Sequence, residues 1–281
     1  MIIDTHTHVF PEKIAKRAIE NLEHIADEGA GRKGALKART DGTLDGLKKS
    51  MRENGIDYSV VLPVATKPSQ FESINLYASE INGKDGIISL GGIHPECDNV
   101  YEKLSYVKSL GLRGVKVHPD YQKYYVDDPK YLEIVECCIK LGLYIIFHAG
   151  WDIGYPEPMH CSPEAFRNAY APLFEKYPSE KTHPHVILAH LGGVTTPKRT
   201  LDTLCGMPIY LDMAFTLENM DENDIIKIIR SHGADKILFA TDSPWSDQGI
   251  CKQKFLSLPL TDEEKELISY KNASLLFLKE K

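Results

Sequence analysis

Short apolar, β-branched runs alternate with longer segments of helical spacing along the whole chain, and this alternation constrains the fold more than any other feature. The runs lie at 1–8, 58–65, 87–94, 112–118, 143–148, 186–190, 209–214 and 236–241. Between them, 11–28 carries Ile14, Ala18, Ile19, Leu22 and Ile25 on one helical face, and 43–54 carries Leu44, Leu47 and Met51 ahead of Gly55. Helical spacing recurs at 70–82, 99–110, 130–141, 222–231 and 262–270, the last behind Thr261 as N-cap, with a short helix at 272–278 and a weak patch at 201–204. Strands joined by helical crossovers pair in parallel. Eight such units in 281 residues predict one α/β domain spanning 1–281, a closed (β/α)8 TIM barrel. An open doubly wound sheet is the alternative, but no Gly-rich dinucleotide turn follows the first run.

Charge and cysteine usage exclude several classes of function. A net charge of −7 without basic clustering argues against a nucleic-acid surface. No apolar run approaches the roughly 20 residues that span a bilayer, and the N-terminus lacks the basic and apolar regions of a signal peptide. Six cysteines are scattered without a CxxC pair, which suits a reducing cytoplasm. A homodimer is the commonest assembly for such a chain.

Six of the eleven histidines end apolar runs: His6 and His8 the first, His94 the third, His118 the fourth, His148 the fifth and His190 the sixth. Asp242 follows the eighth run. In a barrel of this kind the C-terminal strand ends form the face where active sites are built. His6 and His8 lie two apart in a strand and project to one side, which begins a transition-metal site. On its own the pair reads equally well as a His-rich start. Asp4 shares their parity and is expected to orient an imidazole N–H from behind. His6, His8 and His148 offer neutral nitrogen ligands and Asp242 a carboxylate, a mix that suits Zn²⁺, with Mn²⁺ as the other candidate, and leaves room for an activated water. Asp242 beside that water takes and returns its proton; the plain alternative for Asp242 is an N-cap before Ser243-Pro244.

The segments Asp4-Thr-His6-Thr-His8, Phe147-His148-Ala-Gly150, Ala189-His190-Leu-Gly-Gly193 and Thr241-Asp242-Ser-Pro244 resemble the metal-ligand signature of the amidohydrolase superfamily, in order and over essentially the whole chain. Gly114-Val-Lys116-Val-His118-Pro119 and Asn272-Ala-x-x-Leu-Phe277 are similar to the branch of small-molecule hydrolases, lactonases and decarboxylases related to aminocarboxymuconate-semialdehyde decarboxylase. The resemblance implies that His190 is catalytic rather than a ligand. It also favours one metal with Lys116 as an ammonium over two metals bridged by a carboxylated Lys116. The bland alternative turns Lys116 to solvent. His94 and His118 face substrate or pack.

The run of turn formers and aromatics at 150–163 makes Trp151, Asp152, Tyr155 and His160 candidates for the substrate pocket, with Trp245 and the tyrosines of 119–125 as further walls. The expected partner is a small, anionic substrate. Two reactions fit: hydrolysis of an ester, lactone or amide, and non-oxidative decarboxylation of an unsaturated or aromatic acid. A decarboxylase needs pocket cations for a second carboxylate, and the strand ends offer chiefly Lys116. Hydrolysis is therefore the expectation, with decarboxylation the alternative.

Overall fold

The structure is a computed structural model and describes residues 1–155 and 158–278; Pro156 and Glu157, within the expected pocket loop, and the last three residues of the expected domain lie outside them. The apolar runs form nine short strands: β1 (Ile3–Thr7), β2 (Tyr58–Val61), β3 (Ile87–Ser89), β4 (Gly91–Gly92), β5 (Gly114–Val117), β6 (Tyr144–Phe147), β7 (Val186–Leu188), β8 (Tyr210–Asp212) and β9 (Ile237–Leu238). All strand pairs are parallel and follow chain order. β3 and β4 are one stave interrupted at Leu90, so the staves number eight, as the runs predict. The ring closes between last and first: Thr5 N donates to Phe239 O (3.0 Å), Asp242 N to His6 O (2.9 Å) and His8 N to Ser243 O (2.6 Å).

Alternation along the staves sorts the core into two layers. Ile3, Val60, Leu62, Ile88, Ile146 and Leu238 fill the barrel, while Val61, Val115, Val117, Phe147 and Leu211 face outward onto helices through residues such as Leu47, Leu104, Ile134 and Ile228. Ala273, Leu276 and Phe277 pack with Tyr144 and Tyr210 at the strand starts, so the C-terminal segment plugs the bottom of the barrel. The strand ends are left to chemistry. No described helix is long and apolar enough to cross a membrane.

Expected helices form with small shifts at their ends, for example Glu12–Ala30, Leu44–Asn54 capped by Thr43, and Pro129–Leu141 closed by Gly142. Two long helices went unread, as did the four-residue helices Pro119–Gln122 and Thr216–Asn219. Pro163–Lys176 begins with Pro163 behind the Ser162 cap, a position where proline's missing N–H costs nothing, and it buries Phe166, Tyr170 and Phe174. Gln248–Ser257 starts at the Asp247 cap and buries too few apolar side chains to show a stripe. The helix after Thr261 is regular only over Asp262–Glu266 and widens into π-turns beyond it.

β1 is irregular where the site begins. Its register against β2 runs Ile3↔Tyr58, Asp4↔Ser59, then Thr7↔Val61, three steps against two, which is a β-bulge. Asp4 therefore does not share a face with His6. It turns toward the Gln248–Ser257 helix, and its carboxylate accepts from Thr241 N (3.0 Å), Thr241 Oγ1 (2.6 Å), Gln248 Nε2 (2.7 Å) and His6 N (3.3 Å). The expectation that Asp4 orients an imidazole is corrected: Asp4 staples the first strand to the last. Asp4→Ala leaves these buried donors unpaired, and urea unfolding is expected to show a loss on the order of 3 kcal/mol.

Candidate metal centre and active site

His6 and His8 reach the barrel mouth with their ring protons already committed. His6 donates from Nδ1 to Asp212 Oδ2 (2.8 Å), and His8 donates from Nδ1 to Leu62 O (2.8 Å). Neither acceptor carries a hydrogen at those atoms, so both Nε2 atoms present lone pairs. Those lone pairs converge: Nε2 to Nε2 is 3.2 Å, and Asp242 Oδ1 lies 3.5 Å from His6 Nε2 and 3.3 Å from His8 Nε2. Donors 2.0–2.2 Å from one tetrahedral ion are about 3.4 Å apart. The rings stand at 74° to each other, so one ion can lie in both ring planes. Three lone-pair atoms at this spacing repel unless a cation joins them; the donor set fits a divalent metal. The nearest hydrogen source is Lys116 Nζ, 3.4 Å from His6 Nε2.

Burial and the neighbouring Lys116 charge hold the His6 imidazolium well below its usual pKa, so the ring is neutral, as a ligand must be. For Asp242 burial pushes upward, but the imidazoles of His8, His6 and His190 around it outweigh that push and keep the carboxyl below its ordinary value. Its backbone sits at φ 74°, fixed by its N–H on His6 O. Lys116 alternates between Val115 and Val117, points inward and is completely buried; burial lowers its ammonium to about 8, opposed by Asp212 and Asp242. The solvent-facing alternative for Lys116 is thereby excluded.

His190 donates from Nδ1 to Ala214 O (2.9 Å) and meets His148 Nδ1 with its Nε2 (3.0 Å). Asp212 ties these parts together, because its Oδ1 also accepts His190 N (3.1 Å) and Ala214 N (3.0 Å). The two motif glycines make the His148–His190 approach possible: a Cβ on Gly150, at φ +86°, would sit 2.3 Å from the Gly193 Cα. His148 was grouped with His6, His8 and Asp242, and the structure does not bring it there. Its Nδ1 is taken by His190, and its Nε2 faces Asp152 Oδ2 (3.8 Å) and Asp120 Oδ2 (3.9 Å).

His118 stacks on His148 at 4.0 Å and 12°, and Tyr121 stacks on the other side of His118 at 4.0 Å and 11°. Asp152 Oδ2 is 3.6 Å from His118 Nε2. His118, His148 and Asp152 form a second convergent group. Near-parallel rings cannot both hold one ion in plane, so this group does not match the metal test that the first trio meets. Burial, reinforced by Asp120, raises the Asp152 carboxyl to about 7. His160 donates from Nδ1 to Asp120 Oδ1 (2.9 Å) and stacks on Tyr125. Tyr155 meets Tyr121 edge-on.

Other candidates stand apart. His94 accepts Glu96 N at Nδ1 (3.1 Å) and meets Tyr124 edge-on, so it shapes a turn outside both groups. Trp151 and Trp245 are half-buried, and Trp245 N donates to Asp242 O. Sequence reasoning missed Asp212, Asp120 and Gln248. Asp212 lies in the seventh run and ends β8, and the strand-end rule applied to the histidines would have found it; the other two lie on elements with no comparable signal.

The sequence matches the amidohydrolase family over residues 3–278. Among curated proteins no sequence matches significantly. Solved structures of similar fold include 5-carboxyvanillate decarboxylase from Sphingomonas paucimobilis, with 15% identity, 98% of each chain covered and a TM-score of 0.68. Another is 2,6-dihydroxybenzoate decarboxylase from Rhizobium, at 17%, 98% of each chain and 0.70. A third is a dihydroxybenzoic acid decarboxylase from a Polaromonas species, solved with manganese and the inhibitor 2-nitroresorcinol, at 17%, 98% of this chain, 96% of that one and 0.71. The likeness in fold extends from end to end, and with the family match it fixes the assignment: this chain belongs to the amidohydrolase family of enzymes.

Proposed function

We propose that the chain is a divalent-metal-dependent decarboxylase of a small aromatic or unsaturated carboxylic acid. The observation that carries this reading is Lys116. Its amine is fully buried, and among the described residues no carboxylate oxygen lies within ion-pair distance of it. Asp212 and Asp242 act on it only from beyond that distance, and a buried ammonium with no counter-charge in contact costs several kcal/mol. A substrate carboxylate beside His6 supplies that counter-charge, whereas a neutral lactone or amide does not. Hydrolysis gained its preference from the lack of cations for a second carboxylate; one cation is enough when the substrate carries one carboxylate. The similar structures named as decarboxylases support the same choice over hydrolysis.

His6, His8 and Asp242 would hold the ion, with manganese favoured by its presence in two of the similar structures and zinc equally suited to the donor set. When bound, it would supply Lewis acidity toward the substrate's carboxylate end. Lys116 pairs with that carboxylate and fixes its direction. Loss of CO₂ requires a proton at the carbon that held it, while the electron pair of the broken C–C bond stays with that carbon. The net reaction takes up one proton from solvent, and the His190–His148 pair relays it: a proton taken up by one ring is released to the carbon, while the hydrogen held between the ring nitrogens, 3.0 Å apart, stays in place. Asp212 keeps both His6 and His190 in register for these tasks.

Two measurements test this reading. Elemental analysis of protein expressed with added metal is expected to find about one equivalent of divalent ion, absent from His6→Ala, and Asp212→Asn should weaken binding about 10–100-fold; a metal-free wild type would refute the site. In a screen of aryl carboxylates and lactones, CO₂ should evolve without acid release. Lys116→Met should then raise KM about tenfold to a hundredfold without lowering the melting temperature, since it removes a buried charge that no carboxylate contacts. Acid release without CO₂ would restore hydrolysis.

A further inference from the structure

Between β1 and the first helix of the barrel wall the chain makes an excursion over the mouth. Residues 11–42 leave and rejoin the same strand end, where Phe10 N donates to Gly42 O (2.8 Å) and Arg39 N to Pro244 O (2.6 Å). The Glu12–Ala30 helix of this excursion is about 28 Å long at 1.5 Å per residue. It starts beside the first stave, and its far end touches the loop after β6, the fifth stave of eight. A straight rod joining opposite sides of a ring lies across the ring. One face of the helix is a stripe of small or apolar residues, with Ala15 and Ala26 buried and Leu22 and Gly29 half-buried, while Lys16 and Glu20 are exposed. Leu22, Ile25, Trp151 and Trp245 are half-buried yet join neither layer of the core, so this stripe covers the mouth and not the barrel wall.

The far contact is made at two glycines. A Cβ on Gly29 would sit 2.4 Å from Ile153 O and 2.6 Å from Gly154 C, and a Cβ on Gly154 would sit 2.6 Å from Ile25 Cγ2. Neither glycine has the left-handed backbone that calls for one, and glycine inside a helix is weaker than alanine. What the pair permits is the close approach itself. The turn under the helix end carries Asp152, whose Oδ1 accepts Gly154 N (2.8 Å) and whose carbonyl accepts Tyr155 N (3.0 Å). With this contact closed, His118 is only 6% exposed and Asp152 and Asp242 8% each. We propose that Gly29 and Gly154 determine specificity by seating the helix as a close roof over the mouth, which admits a carboxylic acid no wider than one ring and excludes fused-ring acids. The size limit rests on the reading of the substrate as a carboxylic acid; the roof does not.

The chain's two tryptophans, Trp151 and Trp245, both lie on loops of the mouth, so acrylamide quenching of their fluorescence reads the roof without any ligand. Gly29→Ala forces the helix end off a carbonyl, and the quenching constant is expected to rise about twofold or more. Titration calorimetry of the metal-loaded protein with benzoate and 2-naphthoate reads the size limit. The wild type is expected to favour benzoate about tenfold or more, although 2-naphthoate has more apolar surface to bury. In Gly29→Ala that ratio should move toward one. Gly154→Ala meets only the end of a side chain and should shift both readouts the same way by less, which keeps the test alive should Gly29→Ala fail to fold. A lowered melting temperature with quenching and ratio unchanged would overturn the proposal, leaving the glycines a packing role alone. So would 2-naphthoate binding the wild type as tightly as benzoate. Binding of neither acid would overturn the carboxylate reading and the size limit with it, while quenching still decides whether the two glycines seat a roof.

Discussion

The placement of three ring hydrogens governs the chemistry of this barrel. His6, His8 and His190 each give the Nδ1 hydrogen to an acceptor built into the fold: the Asp212 carboxylate, the Leu62 carbonyl and the Ala214 carbonyl. A neutral imidazole has one hydrogen, so each commitment turns an Nε2 lone pair toward the mouth. Asp212 matters most, because one oxygen orients the His6 ring while the other holds the backbone N–H groups of His190 and Ala214. Burial raises the Asp212 carboxyl, opposed by His190 and Lys116, and its three donors offset the cost of keeping it inside. Loss of that carboxylate would free a ring and a turn at once.

The second constraint is the bulge in β1. Ile3 must point inward to fill the barrel, and strict alternation from Ile3 would send His6 outward with Asp4. One extra residue between Asp4 and Thr7 resets the phase, so the same short strand supplies an apolar plug below and two imidazoles above. Asp4, left outside by this switch, becomes the staple to Thr241 and Gln248. That staple lies next to Asp242, so barrel closure and the spacing of the metal ligands are one structural problem.

Much of this was legible in the amino-acid order. Eight apolar runs predicted eight staves, and histidines ending those runs marked the working face, because strand direction in a parallel barrel carries every strand end to the same side. Side-chain rotation was not legible. His148 ends its run as His6 does, yet a turn of its ring binds it to His190 and removes it from the His6, His8 and Asp242 trio. Asp4 misled because parity assumes a regular strand. Pro163 concealed a helix start, and His94 ended a run only to serve a turn. Asp120 joins the site through a short helix, Pro119–Gln122, whose four residues show no period.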